Sequence, residues 1–225
     1  MFLDFFSLLY PNICAGCGNN LRRSERAICT VCRFEFPYIK LINSKDNAVT
    51  KVFHGRLPIE SGYSLISFEK GQRIQNVLHE LKYNGNKKVG EELGRMLGGT
   101  IKDLGDEIPD TIIPVPLHPK KLKKRGFNQA EIIANGIATV LERPVETSVI
   151  KRKTFTNTQT NKSRVDRWSN VEDVFELSKA DRVSDKHVLI IDDVLTTGAT
   201  LEACAATLLK SSVKKISIAT AACVV

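Results

Sequence analysis

Val188-Leu189-Ile190-Ile191-Asp192-Asp193-Val194-Leu195-Thr196-Thr197-Gly198-Ala199-Thr200 runs from four apolar residues into two adjacent carboxylates. A loop of threonines and one glycine follows, and then an alanine-rich segment with helical character. So short and unbroken an apolar run predicts a buried strand of a parallel sheet. In an open α/β sheet, ligands bind beyond the carboxyl ends of the strands, which puts the aspartates and the Thr/Gly loop at a ligand site. Gly198 permits backbone angles closed to other residues and a close ligand approach. Thr196, Thr197 and Thr200 offer hydroxyls. The loop amides and the N-terminus of the next helix offer unpaired N–H donors and partial positive charge. That combination is a phosphate cradle. Asp192 and Asp193 repel a bare phosphate, but they accept hydrogen bonds from sugar hydroxyls or hold Mg²⁺ through water. A phosphorylated ribose, with its phosphate and vicinal diol, is the simplest ligand that satisfies both halves. No lysine follows Gly198, which disfavours an ordinary P-loop nucleotidase. A strand ending in a plain polar turn explains one Asp-Thr-Gly but not the whole run.

Upstream, the pattern alternates. Tyr63–Phe68 reads as a strand, and residues 70–83 as an amphipathic helix that stops near Asn84-Gly85-Asn86. Residues 87–104 read as a second helix whose pattern is interrupted at Gly98-Gly99. Thr111–Pro119 reads as a strand that stops in prolines, and Gly126-Phe127-Asn128-Gln129 opens a helix to about Leu141. Val145–Ile150 is read as a strand, residues 199–210 as a helix and Lys215–Ala221 as the last strand. The expected fold class is therefore α/β, a doubly wound parallel sheet. Residues 151–173 are polar and basic over most of their length. A connection that long is a functional lid or a disordered segment.

The chain has 225 residues and a formal net charge of +8, which points to an anionic partner, either nucleic acid or a polyphosphate. The charge is concentrated in Lys120, Lys121, Lys123, Lys124 and Arg125, and again in Lys151, Arg152, Lys153, Lys162, Arg164 and Arg167. Either cluster alone reads equally as a solvated surface. No apolar run approaches a membrane-spanning length. Met1–Tyr10 is apolar, opens with no basic residue and contains Asp4. It predicts a short amphipathic helix on its own domain rather than a signal peptide.

Cys14-x-x-Cys17 and Cys29-x-x-Cys32 are two knuckles separated by a short loop, the spacing of a four-thiolate zinc site. A closed site of this kind is structural, and so short a segment depends on the metal to fold. A disulfide reading would need an oxidising compartment, of which the chain carries no sign. The expected organisation is a zinc-ribbon-like module over residues 1–45 and an α/β domain over residues 60–225. Cys204 and Cys223 read as buried core thiols. His54 and His79 read as surface residues without a partner at ligand spacing.

The opening stretch closely resembles the phosphoribosyl-pyrophosphate (PRPP) motif of type I phosphoribosyltransferases. Four apolar residues, two acidic, two apolar and then T-T-G-x-T match at every position. The resemblance implies that Thr196, Thr197, Gly198, Ala199 and Thr200 bind the 5′-phosphate. It also implies that Asp192 and Asp193, ahead of Val194 and Leu195, contact the ribose hydroxyls directly or through Mg²⁺.

The whole chain further resembles the ComF/ComFC competence-associated family, in which a Cys₄ zinc module precedes a phosphoribosyltransferase-like domain. The cysteine knuckles carry this resemblance, with Val77–Tyr83 and the glycine after it, Pro114–His118 through Arg125–Gln129, and Thr158 through Ser163, Arg164 and Arg167 to Asn170-Val171. It implies that Pro116, Leu117, His118, Lys124 and Arg125 belong to a pyrophosphate loop. Residues of about 151–173 would form a flexible hood, in which Thr158, Gln159, Ser163, Arg164 and Arg167 contact an acceptor.

Two functions from different classes follow. One is Mg²⁺-dependent phosphoribosyl transfer. The other, implied by the family, is handling of single-stranded DNA in the cytoplasm during natural transformation, beside a helicase-like partner. Phe127, Phe155 and Trp168 are the aromatics available for base stacking, and core or hood packing is the competing reading. For transfer, no convincing general base is visible, and Asp193 and Glu131 are candidates by proximity alone.

Overall fold

A computed structural model of the chain describes residues 11–69, 71–153 and 174–224. In chain order the elements begin with α1 (Thr30–Phe34), α2 (Ala48–Lys51), β1 (Ser61–Ser67), α3 (Arg73–Tyr83), α4 (Lys87–Asp103) and β2 (Thr111–Pro114). They continue with α5 (Pro119–Arg125), α6 (Gln129–Leu141), β3 (Ile150–Arg152), β4 (Phe175–Leu177), β5 (His187–Leu195), α7 (Ala199–Leu209) and β6 (Lys215–Cys223). The expected Met1–Tyr10 helix lies outside the described residues.

Four strands form one parallel sheet in the order β1-β6-β5-β2. Its centre is apolar on both faces, as a sheet covered by helices on both sides requires. Along β5 the side chains alternate: Leu189 and Ile191 join a core with Tyr63, Ile66 and the inner faces of α3, α4 and α6. Val188 and Ile190 join a second core with Leu201, Cys204, Leu208, Val149 and Phe175. The doubly wound α/β expectation is met. Cys204 and Cys223 are core thiols, 0% and 1% exposed.

Two expectations need correction. Val145–Ile150 is not a strand of the main sheet. Val145 makes a single parallel bridge to Ile112, and the chain then turns away. β3 pairs antiparallel with β4 in a separate two-stranded ribbon, because Ile150 and Phe175 find their apolar cover in the second core. Gly98-Gly99 does not interrupt α4, which runs unbroken to Asp103. Gly90, Gly94 and Gly98 share the face on which α4 crosses α6. A Cβ at Gly94 would stand 2.8 Å from the Gly136 Cα, and one at Gly98 3.0 Å from the Val140 Cβ. The glycines let the helix backbones approach closely, a gain in packing that offsets their poor helix propensity.

The cysteine segment packs on this framework. Cys14, Cys29 and Cys32 share a core with Val77, Leu78, Leu81 and Leu93. The buried Glu92 carboxylate on α4 accepts from the Ala27 N–H at 2.9 Å and the Ile28 N–H at 3.1 Å, fastening the second knuckle to the helix. Asn76 on α3 donates to the Gly16 carbonyl at 3.0 Å.

Candidate functional site

The loop after β5 is shaped by one glycine. Gly198 caps α7 with φ +78°, a left-handed conformation. A Cβ there would lie 2.7 Å from Val52 Cγ1 and 2.9 Å from Phe53 Cε1. Conformation and crowding both require glycine at this position. The tight turn leaves Thr196 and Thr197 exposed and the first amides of α7 without carbonyl partners inside the helix. Asp192, Val194, Leu195, Thr196 to Thr200 and Leu201 enclose a small cup of about 40 Å³. Thus Thr196, Thr197, Gly198, Ala199 and Thr200 converge on one concavity that offers N–H donors, hydroxyls and a helix N-terminus.

β5 continues through the aspartates to Leu195, because β6 still runs beside it, with Asp192 opposite Thr220 and Leu195 opposite Cys223. Adjacent strand residues face opposite ways. Asp192 is turned towards α7, where its charge reaches the Cys204 thiol. Asp193 is turned towards α3, where its Oδ2 lies 2.9 Å from Lys82 Nζ. The Asp193 N–H donates to Asp192 Oδ1 at 2.8 Å. Burial first, and then the charge of Asp193, push the Asp192 carboxyl from 3.8 up to about 7; that N–H, Lys82 and Arg152 pull the other way. The hard oxygen donors suit Mg²⁺, and they come from opposite faces of the strand. They fit an ion held through water and a bound ligand.

Both aspartates border a polar cleft of about 190 Å³ between β5 and the segment after β2. Pro116, Leu117 and Arg125 line it, as do Lys82, Lys121, Asn128, Arg152 and Thr200. His118 and Lys124 are not among its lining residues. His118 Nδ1 accepts the Lys120 N–H at 3.2 Å and caps α5. Most of the expected pyrophosphate loop is this short helix, started by Pro119 at its first turn and stopped by Gly126 at φ +78°. Helical spacing turns Lys121 and Arg125 to the cleft, while Lys120, Lys123 and Lys124 face solvent. Arg125 is braced by Gln129 at 2.7 Å and by the Tyr83 ring at 5.5 Å. Arg152 lies 5.4 Å from the Phe175 ring. Glu131 is not among the cleft's lining residues.

Lys82 is a site residue that sequence reasoning misses. Its one sequence signal is its place in the Val77–Tyr83 block. Thr158, Gln159, Ser163, Arg164 and Arg167, with Phe155 and Trp168, lie outside the described residues. Phe127 is 8% exposed with the Lys87 ammonium over its ring, so it packs in the core and does not stack on bases. His54 and His79 are exposed, His79 lying against the Tyr83 ring at 4.7 Å.

The four N-terminal cysteines converge. Cys14 and Cys32 sulfurs are 3.6 Å apart, those of Cys17 and Cys29 3.8 Å apart, and all four lie within 4.8 Å of one another. Tetrahedral zinc with Zn–S bonds of about 2.3 Å sets its sulfurs about 3.8 Å apart. A disulfide would bring two sulfurs to about 2.0 Å, and all four thiols are free. Backbone N–H groups of Gly16 and Cys29 point at Cys14 Sγ, at 3.4 and 3.2 Å. Arg73 donates to Cys32 Sγ at 3.4 Å while paired with Glu35 at 2.6 Å. The donor set fits a thiolate-bound metal.

Among the described residues no helix is long and apolar enough to cross a membrane. Residues 82–223 match the phosphoribosyl transferase domain family. The chain is 26% identical over 215 residues to Competence protein F of Haemophilus influenzae, covering 91% of this chain and 94% of that protein. It is 27% identical over 225 residues to DNA utilization protein YhgH of Escherichia coli O157:H7, covering 94% and 96%. It is 23% identical over 205 residues to Competence protein ComFC of Bacillus subtilis, covering 90% and 81%.

Proposed function

Since the chain belongs to the phosphoribosyl transferase domain family, and with its relatives to the ComF competence proteins, we propose that it binds PRPP with Mg²⁺ and transfers the phosphoribosyl group. One observation carries this reading. A glycine-capped phosphate cup and a cation-lined cleft meet at a pair of carboxylates at the end of a central strand. That order, with a phosphate cup, a pair of carboxylates and a cation-lined cleft, suits a ligand with a phosphate at one end, a diol in the middle and a diphosphate at the other.

In this reading the amides of residues 197–200 hold the 5′-phosphate, and Asp192 and Asp193 orient the ribose by its hydroxyls. Lys121, Arg125 and Arg152 take the charge that builds on the departing diphosphate. Arg125, held by Gln129 and Tyr83, and Arg152, set against Phe175, are positioned before the ligand arrives, which is how preorganised charge accelerates a reaction. Mg²⁺, when bound, would share the diphosphate charge. The cysteine cluster would hold zinc in a closed, structural site. Isothermal titration with PRPP and Mg²⁺ tests the reading. We expect binding by the wild type and its loss in an Asp192→Ala/Asp193→Ala double variant; a wild type that does not bind overturns it. Pyrophosphate release on adding candidate acceptors tests the transfer step.

A second reading is favoured by α5, whose Lys120, Lys121, Lys123 and Lys124 are exposed beside the cleft. This basic face would follow the backbone of single-stranded DNA. Affinity should then fall with log salt at a slope of about −0.7 per phosphate neutralised. A Lys123→Glu/Lys124→Glu variant should flatten that slope and leave PRPP binding alone, since both lysines face away from the cleft.

A further inference from the structure

Lys82 stands at a boundary. It sits in the last turn of α3, its side chain 24% exposed, and it pairs with an Asp193 carboxylate that is 16% exposed. Both residues line the polar cleft, and both also line a second cavity of about 410 Å³ walled by Phe68, Leu78 and Tyr83. Two carboxylates on consecutive residues of a half-buried strand repel each other, and full ionisation requires a counter-charge. The other cations around the cleft are engaged elsewhere or stand further off. Arg125 bonds Gln129 and faces Tyr83, Arg152 faces Phe175, and Lys121 is exposed. Among the described residues, Lys82 is the cation in direct contact with the pair.

We propose that Lys82 is a resident counter-cation of the two ribose-binding carboxylates, displaced from Asp193 when hydroxyls or Mg²⁺ engage that carboxylate. Once released, its ammonium remains in the cleft and joins the cations that hold the diphosphate. The inference rests on the PRPP reading above and gives that site a positioning residue. Lysine suits the task better than arginine. It is a point charge on a flexible stem, with no planar fork to lock it onto a carboxylate. Because the side chain is partly exposed at a helix end, it can turn without repacking α3.

The consequence is a pair of effects of opposite sign. An ammonium on Asp193 competes with any incoming cation, so its loss should tighten Mg²⁺ binding in the absence of PRPP. The same loss removes a cation from the diphosphate wall, so it should weaken PRPP binding. A purely structural lysine would shift both affinities in one direction.

The test titrates the full-length protein with MgCl₂ alone, and separately with PRPP at fixed Mg²⁺. In Lys82→Met we expect Mg²⁺ affinity to rise about three- to tenfold and PRPP affinity to fall about tenfold. Circular dichroism matching the wild type establishes that the variant folds, and Lys82→Gln replaces it if it does not. Mg²⁺ affinity that does not rise, or PRPP affinity that does not fall, overturns the inference while wild-type PRPP binding stands. A wild type that binds no PRPP overturns the underlying reading and this inference with it.

Discussion

Replacing Asp192 with asparagine should make the unliganded protein more stable and its site inert. The carboxyl is held at about 7 in the folded chain, chiefly by burial and then by Asp193, against an ordinary value of 3.8. The folded state thus binds this proton more tightly than the unfolded state does. Between those two values the folded chain carries the proton that the unfolded chain has lost, and stability falls as pH rises through the window. Above pH 7 the loss is complete. The difference between 3.8 and about 7 sets an upper bound of about 4 kcal/mol, and partial exposure reduces it to about 1–3 kcal/mol. Asparagine keeps the shape and the oxygen that accepts the Asp193 N–H, but it has no charge to bury. Its advantage over wild type should be near zero at pH 4, grow steadily to pH 7 and stay flat above. At about 2–4 °C per kcal/mol for a chain of this size, Tm at pH 8 should rise by about 2–12 °C. The assay is thermal unfolding followed by circular dichroism, without Mg²⁺ or PRPP, at matched pH values from 5 to 8. A difference between variant and wild type that is constant with pH, or shrinks as pH rises, refutes the reasoning. Adding PRPP and Mg²⁺ should stabilise wild type by mass action and leave Asp192→Asn almost unchanged.

Three further outcomes follow from particular contacts. Gly198→Ala places a methyl group against Val52 and Phe53 in a left-handed conformation; it should cost about 2–4 kcal/mol in a denaturant melt and weaken PRPP binding. Two neighbouring glycines of α4 should respond with opposite signs, because a Cβ at Gly94 meets the α6 backbone while one at Gly99 meets nothing within 4 Å. Gly94→Ala should lose more than about 2 kcal/mol, whereas Gly99→Ala should gain about 0.5–1 kcal/mol, and equal melting temperatures would contradict the crossing described. Glu92→Ala strips the Ala27 and Ile28 N–H groups of their acceptor, at a cost of about 2–4 kcal/mol, and should speed loss of bound zinc to a chromogenic chelator.

Features written in a few adjacent residues are legible in the chain alone. Val188 to Thr200 disclose a buried strand, a phosphate loop and paired carboxylates, because strand periodicity, glycine conformation and helix capping are properties of neighbours. The two C-x-x-C knuckles disclose four sulfurs able to converge, since each knuckle is one tight turn. Less legible is any element whose conformation depends on distant packing. Val145–Ile150 has strand composition, yet Val149 and Ile150 join Phe175 in the second core, and a ribbon forms instead. Gly98-Gly99 has the composition of a break, but α6 lies against α4 at Gly98 and rewards the missing side chain there. The basic run after Pro119 has the composition of a loop, because solvent-facing lysines carry no apolar period by which a helix announces itself.

The sequence by itself determined which chemistry this chain carries: a phosphate cradle beside two carboxylates, and a four-sulfur cluster. Tertiary structure alone decided which groups meet that chemistry. Lys82 reaches Asp193, Arg152 and Lys121 enter the cleft while Lys124 does not, and Glu92 grips backbone 65 residues away. Local patterns fix backbone conformation over a few residues. The order in which strands lie side by side, β1-β6-β5-β2, is set by the burial of the whole chain, and it is that order which brings α3 to the end of β5.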